Sequence, residues 1–562
     1  MYVAALWPAV LGACVASTLA LKPPARTRVD FSKRAPEGPQ FVSTDNGKFV
    51  VNGAPLNFVG TNAYWLPALN SDADVNKTLA DIAASGIKVV RTWAFNDVTE
   101  IPATGTWFAQ VGKDGELTIN DGPNGLQKLD TVVKLAEENG LYLQLALTNN
   151  WNPSETTISK RNNDGSKPRN ALSNDYGGMD VYVRQFGLQH HNEFYTNPAL
   201  IEAFKKYTTA IVKRYTTSPA IFGWELANDP RCNSTLPAAQ CNPQDITRWH
   251  DTVAEHIRTI DTNHLVAAGH GGYLCVDCEK IHPRAPTVPP AQVSATPGRR
   301  RSVPQFLTKK ELLRSRSETR KARRKANLDT NARRGIRGRW APTPTRRQED
   351  FQAVGPAYDG TYGVDSEDLL NSPNLDYGSF QLFPDQNKYG ADDPNLSAFD
   401  NTVAQGNEWI RQHGSLGQDF GKPITLNAFG LVTQQNAPYF QPFNGSPPPT
   451  TAPSGPDGTG TQQPYGVTNA QRDSAYSSWI GTANDAGLKN VVQYQWGQPE
   501  LSVAPGTPVS VATDTTGVTT TQGTTGVSPN DGYSTNGAGK EEVVEVLKEG
   551  IQAFGSDANL RR

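Results

Sequence analysis

The chain has 562 residues, of which 37% are hydrophobic and 9% aromatic, with 11 Trp. This composition supplies a large core and excludes a globally disordered chain. The length fits either several small domains or one α/β barrel of roughly 250 residues that carries large insertions. The formal net charge of −2 hides an asymmetry, because residues 284–350 hold 19 Lys and Arg against 5 Asp and Glu.

The N-terminus carries two processing signals. Residues 1–20 are apolar, lack acidic side chains and end in small residues, which is typical of a secretory signal peptide cut near Ala20. A membrane anchor is the poorer alternative because the stretch is short for a span and is followed by a lysine and two prolines. The dibasic pair Lys33-Arg34 predicts a propeptide over residues 21–34. We therefore expect a secreted protein that lies outside the cell or in the cell wall.

The cysteine count fits an oxidising compartment, because four cysteines remain once the signal peptide is removed. They are Cys232, Cys241, Cys275 and Cys278. Pairing each cysteine with its nearer neighbour closes two short loops and is favoured, although other pairings and a four-cysteine zinc site stay open. Asn-X-Ser/Thr sequons, which predict glycosylation, occur at Asn76, Asn233, Asn395 and Asn444.

Strand-like apolar runs alternate with helical patterns after a predicted hairpin at 41–58, where two Asn-Gly pairs signal turns. The predicted strands cover 56–62, 89–95, 141–148, 221–227, 265–269, 377–383, 423–429 and 490–496. The predicted helices cover 76–85, 126–139, 198–216, 245–260, 397–413, 468–486 and 540–554. Eight strands in alternation with helices predict one (β/α)8 TIM barrel over residues 35–562, closed by the last helix.

Three segments fall outside this alternation, and their composition predicts flexible surface insertions. They are residues 284–352, 440–466 and 499–528. The first is strongly basic. It is interpreted preferentially as an inert loop, and alternatively as a contact surface for acidic glycans. Secretion argues against a nucleic-acid partner.

Tryptophan is concentrated at the C-terminal ends of the predicted strands, where a TIM barrel keeps its active site. Trp65, Trp93, Trp151 and Trp496 lie at or just past these ends. Aromatic faces suit the apolar faces of sugar rings, although any single tryptophan could instead fill the core. The pattern as a whole favours a carbohydrate cleft.

The motifs at these strand ends resemble those of the fungal endo-β-1,4-mannanases of glycoside hydrolase family 5. They include GTNAYWLP, VVRTWAFND, LTNNW, YGGMDVYVRQFG, HHNEFYT and WELANDPRC. The resemblance runs from about Phe41 to Phe554, apart from the three insertions. It implies a (β/α)8 fold and retaining hydrolysis of mannan by two glutamates, an acid/base after the fourth strand and a nucleophile after the seventh. It further implies that the substrate is bound by Trp65, Arg91, Trp151 and Asn228.

Both catalytic positions implied by this resemblance are substituted. Asp229 stands at the acid/base position and Ala428 at the nucleophile position. Gln381, Phe383 and Tyr494 stand where the family has His, Tyr and Trp, and these side chains are also expected to contact substrate. A retaining glycosidase needs two carboxyl groups about 5–5.5 Å apart, and alanine has no nucleophile to offer. We therefore predict that hydrolysis is lost or severely impaired.

Three further carboxylates lie near the predicted cleft. Glu225 is interpreted as structural, because the family also has a glutamate there beside its catalytic one. Asp97 and Asp385 end two strand motifs. Either could in principle act with Asp229 in an inverting mechanism, which tolerates carboxyl groups about 6.5–9.5 Å apart.

Three functions remain open at this point. The leading one is a catalytically impaired, monomeric protein that binds β-mannan or a related cell-wall polysaccharide. The alternatives are an active endo-β-1,4-mannanase or other β-glycosidase with an altered mechanism, and a structural cell-wall protein. No cofactor, metal or membrane partner is expected, and the adjacent His190 and His191 are interpreted as surface or packing residues rather than metal ligands.

Overall fold

The computed structural model describes residues 38–153, 157, 167–284, 355–443, 465–511, 525–537 and 539–556. The predicted signal peptide and propeptide, almost all of the basic insertion, and the sequon at Asn444 lie outside these residues. Within the described part of the chain, no helix combines the length and the apolar character that a membrane span requires.

A small antiparallel sheet precedes the barrel, where the sequence predicted a hairpin. It consists of β1 (Ser43–Asp45), β2 (Lys48–Val51) and β3 (Ala54–Pro55). Both connections are Asn-Gly turns, and positive φ angles occur at Asn46, Gly47, Asn52 and Gly53. Consecutive positive φ angles match the twist of tight hairpins, which is why Asn-Gly is favoured there.

Eight parallel strands form the barrel, each within the range that the sequence predicted or differing by a residue or two. They are β4 (Phe58–Asn62), β5 (Val89–Trp93), β9 (Tyr142–Ala146), β10 (Ile221–Glu225), β11 (Leu265–Ala267), β12 (Gly378–Leu382), β13 (Ile424–Phe429) and β14 (Asn490–Gln493). Every residue of these strands is buried, as expected for parallel strands covered on both faces.

The strands follow one another around the barrel in chain order. Hydrogen bonding runs continuously from β11 back through β10, β9, β5, β4, β14 and β13 to β12. A parallel bridge between Ala267 and Tyr377, with the N–H of Asp376 donating to the carbonyl of Val266 at 2.9 Å, joins the two remaining edges. The predicted TIM barrel is thereby confirmed.

Seven long helices accompany the strands, as predicted. They are α1 (Asp72–Ala84), α2 (Leu126–Glu138), α5 (Pro198–Tyr215), α6 (Pro243–Arg258), α8 (Ala398–Phe420), α9 (Asn469–Asp485) and α10 (Lys540–Ser556). Side-chain caps mark several of their starts; for example, Asn242 and Asp245 form a reciprocal capping box at α6.

Several short elements were not predicted from the sequence. Two are three-stranded sheets, formed by β6 (Asp97–Val98), β7 (Ala109–Val111) and β8 (Leu117–Ile119), and by β15 (Leu501–Ser502), β16 (Ser510–Val511) and β17 (Thr525–Val527). Three are short helices, α3 (Met179–Gln185), α4 (Glu193–Thr196) and α7 (Ser366–Leu370). The second sheet lies at the two described ends of the predicted insertion 499–528.

The N-terminal sheet closes one end of the barrel. Phe49 of β2 packs edge-on against Phe222 and Tyr377, with ring centroids 4.9 and 5.1 Å apart. Its partners lie at or before the first residues of the barrel strands, so this cluster fills the N-terminal end. The opposite end, where the strands finish, remains for a functional site.

Gly60 provides a test of how tightly the barrel strands pack. A Cβ atom at Gly60 would meet the carbonyl oxygen of Val89 at 2.7 Å and a methyl group of Val492 at 3.2 Å. We expect Gly60→Ala to lower the free energy of unfolding by about 2–4 kcal/mol in chemical denaturation. Gly481→Ala is the matched control, because nothing lies within 4 Å of its Cβ. At this exposed position of α9, alanine should be neutral or stabilise the protein by up to about 1 kcal/mol. Equal effects of the two substitutions would contradict this packing argument.

Candidate active site

A cleft lies at the C-terminal ends of the barrel strands. Most of the residues that the sequence predicted for the site line this cleft. They are Arg91, Trp151, Asn228, Asp229, Gln381, Phe383, Ala428 and Tyr494. The barrel therefore brings together side chains that lie hundreds of residues apart in the sequence.

The floor of the cleft rests on a buried ion pair between Arg91 and Glu225. The Arg91 guanidinium binds both carboxylate oxygens of Glu225, with Nε donating to Oε2 at 2.8 Å. Oε2 also accepts hydrogen bonds from Gln144 and Asn427, each at 2.8 Å. Because both oxygens are used inside the barrel, Glu225 has the structural environment that the sequence predicted for it.

Asn228 connects this ion pair to the cleft. Its Oδ1 accepts hydrogen bonds from Arg91 at 2.8 Å and from Gln381 at 3.2 Å. Its Nδ2 donates to Oδ1 of Asn149 at 2.8 Å. The amide is thus held in one orientation by three neighbours, which leaves it a fixed feature of the cleft wall.

The carboxylate of Asp229 is occupied by two strong donors. Trp151 Nε1 donates to Oδ2 at 3.0 Å, and Arg231 Nε lies 3.1 and 3.0 Å from Oδ1 and Oδ2. The backbone φ of Asp229 is +52°, a left-handed conformation that aspartate tolerates better than most residues. Both oxygens accept hydrogen bonds from charged or indole donors, which fixes the position of the carboxyl group in the cleft wall.

Arg231 lies inside an aromatic cage. Its guanidinium carbon is 4.5–5.3 Å from the ring centroids of Trp151, Tyr273, Tyr362 and Phe443. Burial alone would lower the pKa of Arg231, but the charge of Asp229 raises it above its usual value. The Arg231 guanidinium is therefore a charged group that is paired with Asp229 and packed into one wall of the cleft.

Ala428 lies on β13, next to Gln381 of β12 in the strand register. It is buried, at 1% exposure, and it lines the cleft together with Asp229. Its side chain is a single methyl group, so this position supplies no carboxylate.

The wall formed by Phe383 and Tyr494 contains a carboxylate that the sequence did not point to. The rings of Phe383 and Tyr494 meet edge-on at 5.4 Å. The Tyr494 hydroxyl donates to Oδ2 of Asp531 at 2.6 Å, and the Ser173 hydroxyl donates to the same atom at 2.9 Å. Among the carboxylates of the described chain, Asp229 and Asp531 are the two that line the cleft.

The sequence matches a family of glycoside hydrolases. Residues 50–292 fit the model of the cellulase family, glycosyl hydrolase family 5. This part of the chain is therefore similar to glycosyl hydrolase family 5. Its relatives include mannan endo-1,4-beta-mannosidase F of Aspergillus clavatus, 39% identical over 246 residues, or 43% of this chain and 50% of that protein. A probable mannan endo-1,4-beta-mannosidase A-2 of Aspergillus terreus is 28% identical over 400 residues, or 71% and 72% of the two chains. The chain spans about half the length of the first curated relatives that it matches.

Solved structures share the family 5 fold. The endo-1,4-beta-mannanase of Rhizomucor miehei aligns with a TM-score of 0.56 at 23% identity, over 92% of this chain and 100% of that one. The endo-beta-1,4-mannanase of Thermotoga petrophila aligns with a TM-score of 0.52 at 20% identity, over 91% and 79% of the two chains. These alignments establish a common barrel.

Trp65, which the family 5 resemblance implied for substrate binding, does not line the cleft among the residues described. It is fully buried, at 0% exposure, within the main hydrophobic cluster. The short helical turn Leu66–Ala68 follows it directly and is itself buried. In this structure Trp65 fills the core, which was the alternative considered for any single tryptophan at a strand end.

Asp97 and Asp385 also lie outside the lining of the cleft as described. Asp97 starts β6 and accepts a hydrogen bond from the backbone N–H of Gly178 at 3.0 Å. Asp385 accepts from the backbone N–H of Val432 at 2.9 Å and from the Tyr465 hydroxyl at 3.4 Å. Burial raises the pKa of Asp97 to about 8 and that of Asp385 to about 7. These shifts come from desolvation in loop packing, so they are no sign of catalysis.

The two disulfides connect the cysteines that the sequence favoured as pairs, Cys232 with Cys241 and Cys275 with Cys278. His191 is buried and contacts Asp180 at 2.6 Å through Nδ1 and Asn150 at 2.8 Å through Nε2. Within the described ranges, no group of three or more acidic, cysteine or histidine side chains is arranged to hold a metal ion.

Three of the four sequons fall on described residues, and all three asparagines are exposed. They are Asn76, Asn233 and Asn395. Their exposure leaves room for a glycan, and glycosylation stays a prediction.

Sequence reasoning did not single out Arg231, Phe443 or Asp531. Arg231 belongs to the motif WELANDPRC. Its position two residues after Asp229 is the feature of the sequence that could have indicated a contact between them. Phe443 and Asp531 come from long loops, and neither has a motif or a strand end to mark it. Only the fold brings them to the cleft.

Asp97 gives a pH-dependent test of these assignments. Its raised pKa means that the folded protein keeps the proton at pH values where the unfolded chain has lost it, since the usual value is 3.8. The contribution of Asp97 to the stability of the folded protein is therefore complete below about pH 4 and is lost as the pH rises through 8. Asp97→Asn cannot ionise. Its stability relative to the unmutated protein should rise by about 1.4 kcal/mol per pH unit between pH 4 and 8, measured by urea denaturation.

Asp385→Asn serves as the matched control for this experiment. It should show a similar slope that levels off near pH 7, because the pKa of Asp385 is about 7. A stability difference that does not change with pH would contradict the environment described for Asp97.

Proposed function

We propose that this protein binds β-mannan or a related cell-wall polysaccharide in the barrel cleft and hydrolyses it poorly or not at all. The observation that carries this proposal is Ala428, which lines the cleft at the position where the family 5 resemblance places the nucleophile. Losing a covalent nucleophile commonly costs several orders of magnitude in rate.

The environment of Asp229 supports the same conclusion. A general acid must hold a proton and deliver it to the leaving oxygen. Both oxygens of Asp229 instead accept hydrogen bonds from Arg231 and Trp151. The side chain is also one methylene shorter than glutamate, which draws the carboxyl back by about 1.5 Å against a tolerance near 0.5 Å for catalytic groups.

A binding function is supported by what the cleft retains. The aromatic rings of Trp151, Phe443 and Tyr533 and the polar side chains of Asn174 and Asn387 line it. This mixture of apolar faces and hydrogen-bonding groups is what a sugar needs. The relatives named as mannan endo-1,4-beta-mannosidases suggest β-mannan as the first polysaccharide to test.

Secretion and location in the cell wall belong to the same proposal, and they are supported by the N-terminal signals at 1–34, the disulfides and the exposed sequons. A monomeric state stays a prediction. Binding of acidic glycans by the basic insertion 284–352 stays a further proposal. An altered glycosidase mechanism and a purely structural cell-wall role are the alternatives that the following experiments address.

The first experiment measures hydrolysis. Purified protein incubated with β-mannan should release no reducing ends above the level of a heat-denatured control. Adding both Asp229→Glu and Ala428→Glu should restore at most a trace, because Gln381, Phe383 and Tyr494 stay changed. Ordinary glycosidase turnover by the unmutated protein would overturn the proposal. If Asp229→Asn or Asp531→Asn then abolished that turnover, the altered mechanism would be identified.

The second experiment measures binding. Calorimetry with mannohexaose should show affinity, and Trp151→Ala should weaken it by about 1–3 kcal/mol because an aromatic contact is lost. Trp151→Phe is the matched control, since it keeps an aromatic face while removing the Nε1 donor to Asp229 and part of the ring area. An unmutated protein without affinity for manno- or gluco-oligosaccharides would leave only the structural role.

A further inference from the structure

Asp531 differs from the other charged residues of the cleft in its hydrogen bonding. Arg91 is paired with Glu225, and Arg231 with Asp229. Asp531 instead receives two hydroxyl groups, from Tyr494 and Ser173, and both act on Oδ2. Its other oxygen, Oδ1, is buried and has no hydrogen-bond partner within the described structure. Burying a carboxylate oxygen without a hydrogen-bond donor costs free energy. Oδ1 is therefore an unsatisfied hydrogen-bond acceptor.

Asp531 and both of its hydroxyl partners, Ser173 and Tyr494, line the cleft, and Asp531 itself is 6% exposed. Its partners come from different loops, Ser173 from the segment after β9 and Tyr494 from the end of β14. The Tyr494 ring is itself fixed, because it packs edge-on against Phe383 and Tyr533 at 5.4 and 5.7 Å. The carboxylate is therefore held in one orientation from two sides.

The resemblance to family 5 gives this arrangement a second significance. The family motif at the end of the eighth strand has a tryptophan where this chain has Tyr494. Both side chains present an aromatic face and one donor, but the donor of tyrosine is a hydroxyl at the end of the ring, and here it donates to Asp531.

We propose that Asp531 is a specificity-determining residue of the cleft, which accepts hydrogen bonds from the hydroxyl groups of one bound sugar unit while Tyr494 and Ser173 position its carboxylate. The inference rests on the proposed function, since it assumes that the cleft binds a saccharide, and it names the contact that selects the ligand. The ligand class is a neutral sugar with a free hydroxyl group facing this wall.

The matched control for Asp531 is Asp385. Asp531 is buried and Asp385 is partly buried. Desolvation raises the pKa of both carboxyl groups, and both accept a hydrogen bond from a tyrosine hydroxyl. Among the described residues, Asp385 is not one of those that line the cleft. A substitution of Asp385 therefore reproduces the loss of a buried carboxylate without touching the ligand site.

The test is calorimetric titration of mannohexaose into the unmutated protein and into Asp531→Asn, Asp531→Ala, Tyr494→Phe and Asp385→Asn. We expect about 10-fold weaker binding for Asp531→Asn and about 100-fold for Asp531→Ala, as for a lost charge-assisted hydrogen bond. Tyr494→Phe should weaken binding about 3-fold to 10-fold, and Asp385→Asn should leave it unchanged. Melting temperatures and near-ultraviolet circular dichroism report whether each variant is folded.

Deoxy-sugars separate recognition from a structural effect. A set of manno-oligosaccharides, each lacking one hydroxyl group, should include one that the unmutated protein binds about 10-fold more weakly. Asp531→Ala should bind that deoxy-sugar and its parent equally, because the interacting partner is already gone. If the penalty for every deoxy-sugar is the same in Asp531→Ala as in the unmutated protein, the inference is overturned.

The outcomes also distinguish this inference from the proposed function. If the unmutated protein binds another neutral saccharide but no manno-oligosaccharide, and Asp531→Ala loses that ligand, the mannan proposal fails and the inference stands. If mannohexaose binds equally well to the unmutated protein and to folded Asp531→Ala, the inference fails and the mannan proposal stands. A protein that binds no saccharide overturns both.

Discussion

The cleft depends on one buried ion pair, between Arg91 of β5 and Glu225 of β10. Burying two charges is expensive unless every donor and acceptor finds a partner. Here Gln144 of β9 and Asn427 of β13 complete the carboxylate, while Arg91 also reaches Asn228. Side chains from four barrel strands thus meet at one carboxylate. Removing Glu225 would leave the buried charge of Arg91 without a partner, and removing Arg91 would leave the carboxylate of Glu225 without one. The pair therefore stabilises the floor of the cleft.

The residues that hold the barrel are separate from those on which hydrolysis would depend. Within the described residues, neither Asp229 nor Ala428 forms a side-chain hydrogen bond with Arg91 or Glu225. Ala428 pairs in the barrel sheet through its backbone alone. A substitution at either position therefore leaves the network of Glu225 intact. This separation means that Arg91 and Asn228 can keep their contacts whichever residues occupy positions 229 and 428.

Much of the fold could be read from the sequence, because the alternation of apolar strands and amphipathic helices is a local pattern repeated eight times. The Asn-Gly turns were equally visible, since positive φ angles restrict the residues that can occupy them. The site was harder to predict. Asp97 and Asp385 end strand motifs, yet loop backbone groups of Gly178 and Val432 hold them outside the cleft lining. Asp531 reaches the cleft from a loop without a motif, and only the closed barrel brings it to Tyr494.

The charge balance of the cleft also limits how easily hydrolysis could be regained. A nucleophilic carboxylate must be ionised, and in a buried site this requires a nearby cation or several donors. A glutamate placed at position 428 would enter a wall where Arg91 is already bound by Glu225 and Asn228, and Arg231 by Asp229. The amide of Gln381, its neighbour in the strand register, is likewise bonded to Asn228. Ionising the new carboxyl would therefore cost more than it would beside an unpaired cation, and a protonated carboxyl is a poor nucleophile. For this reason we expect the two glutamates alone to restore little activity.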